Sequence, residues 1–228
     1  MSIEIYWGSG SVPSWRAMLG FLAKGVPFEG RLINFSARDH KKPEFLALNP
    51  RGKVPTVVDG DTVIYESLAI LPWLEARFPE PRLFGDAPDQ TGQIWRNILE
   101  FDNYAEPIFD AVSRPILFQG AEGASLTEPL AAVVAELDRF HAALGGAEGR
   151  PLVGDRISAA DLVWYPGLRF LERAATRPRG LALGPTPFGA RWPGLLPWAA
   201  RIEAIPGFET IFPPHWLTSD PPSALHLR

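Results

Sequence analysis

Cysteine is absent from all 228 residues, so the chain forms no disulfide, offers no thiolate to a metal and holds no cysteine nucleophile. Any thiol chemistry must use a thiol that another molecule brings. Histidine is scarce: His40, His141, His215 and His226 are too scattered for the short ligand spacings of a zinc site, and no metal is predicted. Neither sign of charge dominates. The 22 Lys+Arg and 26 Asp+Glu leave a formal net charge of −4, too little to gather nucleic acid or an anionic membrane surface. No run reaches the roughly 18 apolar residues of a membrane helix, and Met1-Ser2-Ile3-Glu4 lacks the basic-then-apolar order of a secretion signal. These features predict a cytoplasmic protein with no nucleic-acid or membrane partner. What is present, 46% hydrophobic and 21% charged residues, suits one large domain or two small ones.

The first eighty residues alternate between strand-like and helix-like segments. Residues 3–7 read as a strand. After Gly8-Ser9-Gly10-Ser11, the positions Met18, Leu19, Phe21 and Leu22 follow helical spacing, with Pro13 suited to a first turn and Gly25 to a stop. Residues 28–33 form a second strand, and residues 43–48 a short helix ending at Asn49-Pro50. Residues 56–58 and 62–65 flank Asp59-Gly60-Asp61, a hairpin signal that makes these strands antiparallel. From Glu66 the residues Leu68, Ile70, Leu71, Leu74 and Phe78 mark an amphipathic helix that stops near Pro79. The order is βαβ, a short helix, then ββα.

The Pro- and Gly-rich residues 81–88 read as a linker, which places one domain at 1–80 and another at 89–228. Helical periodicity over 89–118, 126–144, 158–174 and 192–205, with no convincing strand pair, predicts an all-helical second domain. Ser158-Ala159-Ala160-Asp161 has capping-box spacing with Asp in place of Glu, a folding signal rather than a catalytic one. Residues 176–191 read as an irregular loop, and the tail beyond Phe212 as an extended cover.

Three stretches carry a resemblance: Tyr6-Trp7-Gly8-Ser9-Gly10-Ser11-Val12-Pro13-Ser14-Trp15-Arg16, Leu48-Asn49-Pro50-Arg51-Gly52-Lys53-Val54-Pro55, and Glu66-Ser67. Together with the element order, they resemble the cytosolic glutathione transferase superfamily across nearly the whole chain. With Phe212-Pro213-Pro214-His215-Trp216 added, they look most like its rho class, with looser similarity to zeta and phi. The resemblance implies a thioredoxin-like domain with a mixed four-stranded sheet that binds glutathione as co-substrate. It also implies a helical domain that helps to form an electrophile pocket between the two, and a homodimer.

On that resemblance Val54-Pro55 is a cis peptide, and the Val54 main chain pairs with the cysteinyl unit of glutathione. Taken alone, the dipeptide is a turn before a strand. Ser67, at a helix start, suits the γ-glutamyl carboxylate, and Glu66 offsets the neighbouring ammonium; a plain helix cap explains Ser67 equally well. His40 and Lys41 match positions that reach the glycine carboxylate, against the alternative of a solvated charge run. Lys53 stands where related sequences often carry Gln and supplies a charge-assisted bond.

Catalysis requires a thiolate at neutral pH, because a free cysteine-like thiol ionises near about 8.5. Ser11, just before helix one, stands where related folds carry their Cys or Ser, and the resemblance implies that its hydroxyl is the donor that stabilises the sulfur, with the helix amides beside it. An N-cap role is compatible with this. Tyr6, Ser14 and Ser9 are the rivals. Tyr104, Phe109, Phe118 and Trp164 are candidates for the wall of a small hydrophobic electrophile's pocket, although such spacing is first a packing signal. Trp216 is a candidate cover. Arg169, Arg173, Arg177 and Arg179 read as a solvated helix face. Conjugation is the generic reaction; isomerisation, dehalogenation or peroxide reduction are the alternatives on the same cofactor. A non-catalytic module of the same fold is a third reading.

Overall fold

Alternating residues in Ile3-Glu4-Ile5-Tyr6-Trp7 give a strand with one buried face, and strand β1 (Ile3–Trp7) buries Ile3 and Ile5 while Glu4 and Tyr6 stay half-buried. The computed structural model describes residues 2–121, 125–177, 188–213 and 215–216. After β1 come α1 (Val12–Ala23), β2 (Phe28–Leu32), α2 (Pro43–Leu48), β3 (Thr56–Asp59), β4 (Thr62–Tyr65) and α3 (Ser67–Arg77). The sheet order is β2-β1-β3-β4, with β2 parallel to β1 and the other neighbours antiparallel. This is the mixed four-stranded, thioredoxin-like arrangement that the resemblance implies. At the hairpin, Asp59 pairs with Thr62 around Gly60, whose φ of 60° is the left-handed geometry such a turn demands.

Helix α1 starts at Ser11 as N-cap and ends where Val26 N donates to Phe21 O at 3.0 Å. Every residue from Ser14 to Phe21 is buried. Gly20 permits the close approach of α3, since a Cβ there would lie 2.5 Å from Leu71 Cδ2. Leu19, Phe21, Leu71 and Leu74 are fully buried, each contributing about 1.5–3 kcal/mol through removal from water.

The helical part comprises α4 (Pro88–Glu100), α5 (Glu106–Phe118), α6 (Thr127–Ala143), α7 (Ala159–Ala175), α8 (Phe188–Arg191) and α9 (Leu195–Glu203). Periodicity predicts continuous helix over 89–118, but a π turn, Phe101–Ala105, separates α4 from α5. The wider turn carries both Phe101 and Ala105 into the core at 0% exposure. Every residue of α7 except Arg173 is buried, as expected of a central helix.

Asp161 ties the start of α7 to its surroundings. Its Oδ2 accepts from Ser158 N (2.9 Å) and Ser158 Oγ (2.8 Å), and its Oδ1 accepts from Leu152 N (2.9 Å) and Trp198 Nε1 (2.8 Å). Burial raises its pKa against the pull of these hydrogen bonds.

Packing divides the described chain into two units, residues up to Leu83 with Ile205–Trp216, and Phe84–Ala204. The first unit therefore includes α10 (Phe208–Ile211), which packs on α1. Three expectations need correction. The tail beyond Phe212 is not an extended cover at its start: Trp216 N donates to Pro213 O at 3.0 Å in a turn, and Trp216 is itself buried. Arg169 is not on a solvated face but 4% exposed, with Nη1 donating to Glu172 at 2.7 Å. Within the expected loop over 176–191, residues 188–191 form a helical turn; residues 178–187, Arg179 among them, lie outside the described residues.

Candidate active site

Pro13 and the two glycines before it determine the local geometry at the start of α1. Gly10, at φ 76°, turns the chain back, and Ser11 N donates to Gly8 O at 3.0 Å. Ser11 then adopts the extended N-cap conformation, its Oγ accepting from Ser14 N at 3.3 Å. Accepting that bond leaves the hydroxyl proton available, and no described group takes it. Pro13 has no N–H and Ser14 N is capped, so Val12 N is the remaining first-turn amide beside Ser11. The half-buried Ser11 hydroxyl, that amide and the positive end of α1 make a place suited to an anion.

The rivals are placed differently. Tyr6 donates its phenol proton to Glu4 Oε2 at 3.2 Å, two residues back along β1 and away from the loop, while its ring packs on Phe45. Burial first, then the Glu4 charge, raises the Tyr6 pKa. Ser14 Oγ accepts from Gly8 N at 3.2 Å and is 0% exposed, so it braces the loop from inside. Ser9 Oγ lies 2.7 Å from His215 Nδ1.

Two close contacts join the other candidates to this loop. A Cβ on Gly8 would lie 2.4 Å from Phe35 Cε2 and 3.3 Å from Val54 Cγ2, so Gly8 lets both side chains press against the backbone that leads to Ser11. A Cβ on Gly52, at φ 59°, would lie 2.7 Å from His40 O and 2.9 Å from Lys41 Nζ. Gly52 thus lets the turn carrying Lys53 and Val54 sit against His40 and Lys41. The His40 ring is half-buried, edge-on to Phe35 at 5.1 Å, and its buried Nδ1 has no partner among the described residues. Lys41 and Lys53 are exposed. The Val54-Pro55 bond is cis, and no described group hydrogen-bonds the Val54 main chain.

At the start of α3, Glu66 is the N-cap and Ser67 the first helical residue, so Ser67 is not the cap that its position suggested. Glu66 holds φ 70°, a conformation costing about 1–3 kcal/mol that is concentrated at ligand clamps. Ser67 Oγ accepts from Arg16 Nη1 at 3.1 Å, with Arg16 2% exposed. This corrects the picture of a simple hydroxyl at a helix end, because a buried guanidinium from α1 lies beneath it.

Sequence reasoning passed over three residues that build the site. Arg16 was quoted in the first motif without a role. Asn49 is 2% exposed: its Nδ2 donates to Lys53 O (2.8 Å) and Thr56 Oγ1 (3.2 Å), and its Oδ1 accepts from Arg51 N (3.0 Å). A polar residue between a helix end and an X-Pro strand start was the available signal. His215 stands in the sequence as one of four scattered histidines and as part of a tail, with no role at the site.

In the helical unit, Phe109 and Trp164 are core residues at 2% and 3% exposure, and Trp164 stacks on Phe140 at 4.3 Å. Tyr104 and Phe118 are exposed. Tyr104, Phe140 and Trp164 contribute to a cavity of about 420 Å³ that also meets Glu100, Glu136 and Arg139. Among the described residues no group of three or more His, Asp or Glu could hold a metal, and no helix is long and apolar enough to cross a membrane.

A family profile described as glutathione S-transferase, N-terminal domain, matches residues 10–77. Over 222 residues the chain is 26% identical to glutathione S-transferase A of Pleuronectes platessa, a match covering 95% of this chain and 94% of the relative. It is 32% identical over 180 residues to glutathione S-transferase F9 of Arabidopsis thaliana, covering 75% and 81% respectively. Among solved structures, a glutathione S-transferase from the Antarctic clam Laternula elliptica superposes with a TM-score of 0.81 at 26% identity, over 99% of this chain and 98% of that one.

Proposed function

The chain belongs to the glutathione S-transferase family, and on that premise we propose that Ser11 stabilises the ionised sulfur of glutathione for attack on a small hydrophobic electrophile. The carrying observation is that Ser11 offers an unengaged hydroxyl proton beside Val12 N, whereas Tyr6 donates to Glu4 and Ser14 is sealed inside. Bound glutathione supplies the nucleophilic sulfur that a cysteine-free chain lacks. Ser11 donates to that sulfur, and the α1 dipole favours its negative charge.

The remaining residues bind and orient. The unpaired Val54 amide and carbonyl accept an extended peptide as an added strand. Ser67, with Arg16 beneath it, receives the γ-glutamyl carboxylate, and exposed Glu66 faces the ammonium. His40, Lys41 and Lys53 attract the glycine carboxylate, with the partnerless His40 Nδ1 as a donor or acceptor in reserve. The unit of residues up to Leu83 with Ile205–Trp216 forms the glutathione-binding part, and the helices of Phe84–Ala204 supply apolar walls for the electrophile. The tail motif and the serine-bearing first motif support a rho-like class. A homodimer in the cytoplasm is the assembly and location proposed by family resemblance.

The test is ultraviolet titration of bound glutathione in wild type and Ser11→Ala. A charge-assisted hydrogen bond contributes about 1.5–3 kcal/mol, so its loss raises the thiol pKa by about 1–2 units and cuts turnover at neutral pH by about 10- to 100-fold. The KM for glutathione changes little. Unchanged titration and turnover in the variant would remove Ser11 from the reaction.

A further inference from the structure

Ser9 and His215 are separated by 206 positions in sequence, yet Ser9 Oγ and His215 Nδ1 meet at 2.7 Å. The histidine ring also covers the next residue: a Cβ on Gly10 would lie 2.8 Å from His215 Cε1 and 3.1 Å from Trp216 Nε1. Trp216 is 3% exposed and edge-on to Trp15 at 5.6 Å and to Phe212 at 5.9 Å. Trp15 belongs to the first turn of α1, four residues after Ser11. The tail is therefore anchored to α1 by ring packing and to the residue before Gly10 by a hydrogen bond.

We propose that His215 is a positioning residue for the thiolate site, acting through Ser9 to hold the turn of residues 8–11 and with it the direction of the Ser11 hydroxyl. The inference rests on the reading of Ser11 given above. The turn needs such support because Gly8 and Gly10 leave its backbone permissive. Within the segment, Ser11 N to Gly8 O, Ser14 Oγ with Gly8 N, and the Ser11 cap secure its two ends. Ser9, between the glycines, is secured from outside by His215. Either protonation state of the ring can bridge to a hydroxyl, which both donates and accepts, so the brace depends on the nitrogen's place rather than its charge.

Binding and catalysis separate on this view. Val54, Ser67 and the residues around His40 hold the tripeptide, while Ser11 depends on the tail. The experiment compares Ser9→Ala, His215→Phe, His215→Asn, the Ser9→Ala/His215→Phe double variant and Ser11→Ala, measuring kcat, glutathione KM and the thiol titration of the bound tripeptide. Ser9→Ala and His215→Phe should each lower kcat by about tenfold, the scale of one lost hydrogen bond, with KM within about twofold. His215→Asn, which returns a polar atom near the Nδ1 position, should recover most of the loss. The double variant should be no worse than the poorer single variant, as expected when both remove one interaction.

Wild-type kcat and thiol titration in Ser9→Ala would overturn the proposal, as would multiplied losses in the double variant. Ser9→Ala leaves the Trp15 and Trp216 packing untouched, so it decides the matter even if His215→Phe loses its fold. If Ser11→Ala shifts the titration and the other variants do not, the Ser11 reading stands and this one falls. If Ser9→Ala and His215→Phe shift it while Ser11→Ala does not, the pair acts on the sulfur without Ser11, and positioning through Ser11 is refuted.

Discussion

Replacing Asp161 with alanine should unfold the protein far more readily than any comparable change on its surface. The carboxylate is 0% exposed and accepts four hydrogen bonds, from Ser158 N, Ser158 Oγ, Leu152 N and Trp198 Nε1. Alanine leaves both backbone amides and the indole N–H without an acceptor, whereas the serine hydroxyl can rotate. Each stranded buried donor costs about 1–3 kcal/mol. The desolvation that raises the Asp161 pKa is relieved at the same time, which offsets part of the loss. A net destabilisation of about 3–5 kcal/mol follows, and for a chain of this size it lowers the thermal midpoint by about 10 °C. Near-ultraviolet circular dichroism on heating reads this directly, since Trp198 is one of the donors. Asp161→Asn should lie between, because an amide accepts with one side only. A midpoint within about 2 °C of wild type for the alanine variant would refute the claim that one carboxylate joins the start of α7, residue 152 and α9.

Burial pushes the Glu172 pKa from 4.5 to about 7. Between those values the unfolded chain has lost a proton that the folded chain keeps, so stability falls as pH rises through that window, by at most about 3 kcal/mol, and levels off above it. Glu172→Gln should flatten the urea midpoints measured from pH 5 to 8; parallel curves would count against the assignment. Two glycines of similar crowding should respond differently. Gly167→Ala meets Phe101, which is 0% exposed and has nowhere to go, and should lose about 1–3 kcal/mol in urea melts. Gly8→Ala meets Phe35, 45% exposed, which can swing outward from His40. It should therefore leave the melt within about 1 kcal/mol of wild type and raise the glutathione KM. Ser67→Ala removes one acceptor of buried Arg16 and should weaken glutathione affinity by about tenfold with a smaller effect on kcat, measured by calorimetry and steady-state kinetics.

Much of the first unit was legible because its signals are local. Alternation in residues 3–7, the Asp59-Gly60 turn and the Gly25 stop each act within a few residues, and the strands and helices formed within one or two positions of their predicted ends. Ser11 was legible for the same reason: an N-cap serine followed by Pro13 describes a helix start whatever surrounds it. The π turn between α4 and α5 was not, because Phe101 and Ala105 enter the core through packing in the helical unit, where the Phe101 ring occupies the space over Gly167. Periodicity in α7 was clear, yet it hid Arg169 and Glu172 as a buried pair, since charged residues at helical spacing look alike in core and solvent.

The amino-acid order by itself determined the strands and helices of the first eighty residues, the absence of an internal thiol and the serine at the head of α1, because propensity, turn chemistry and composition act over short spans. Tertiary structure alone decided which residues support Ser67 and the turn that leads to Ser11. Arg16 reaches Ser67 across 51 positions, and Ser9 meets His215 across 206. A hydrogen bond is made at about 3 Å in space, and no local pattern records which distant partner the fold will bring there.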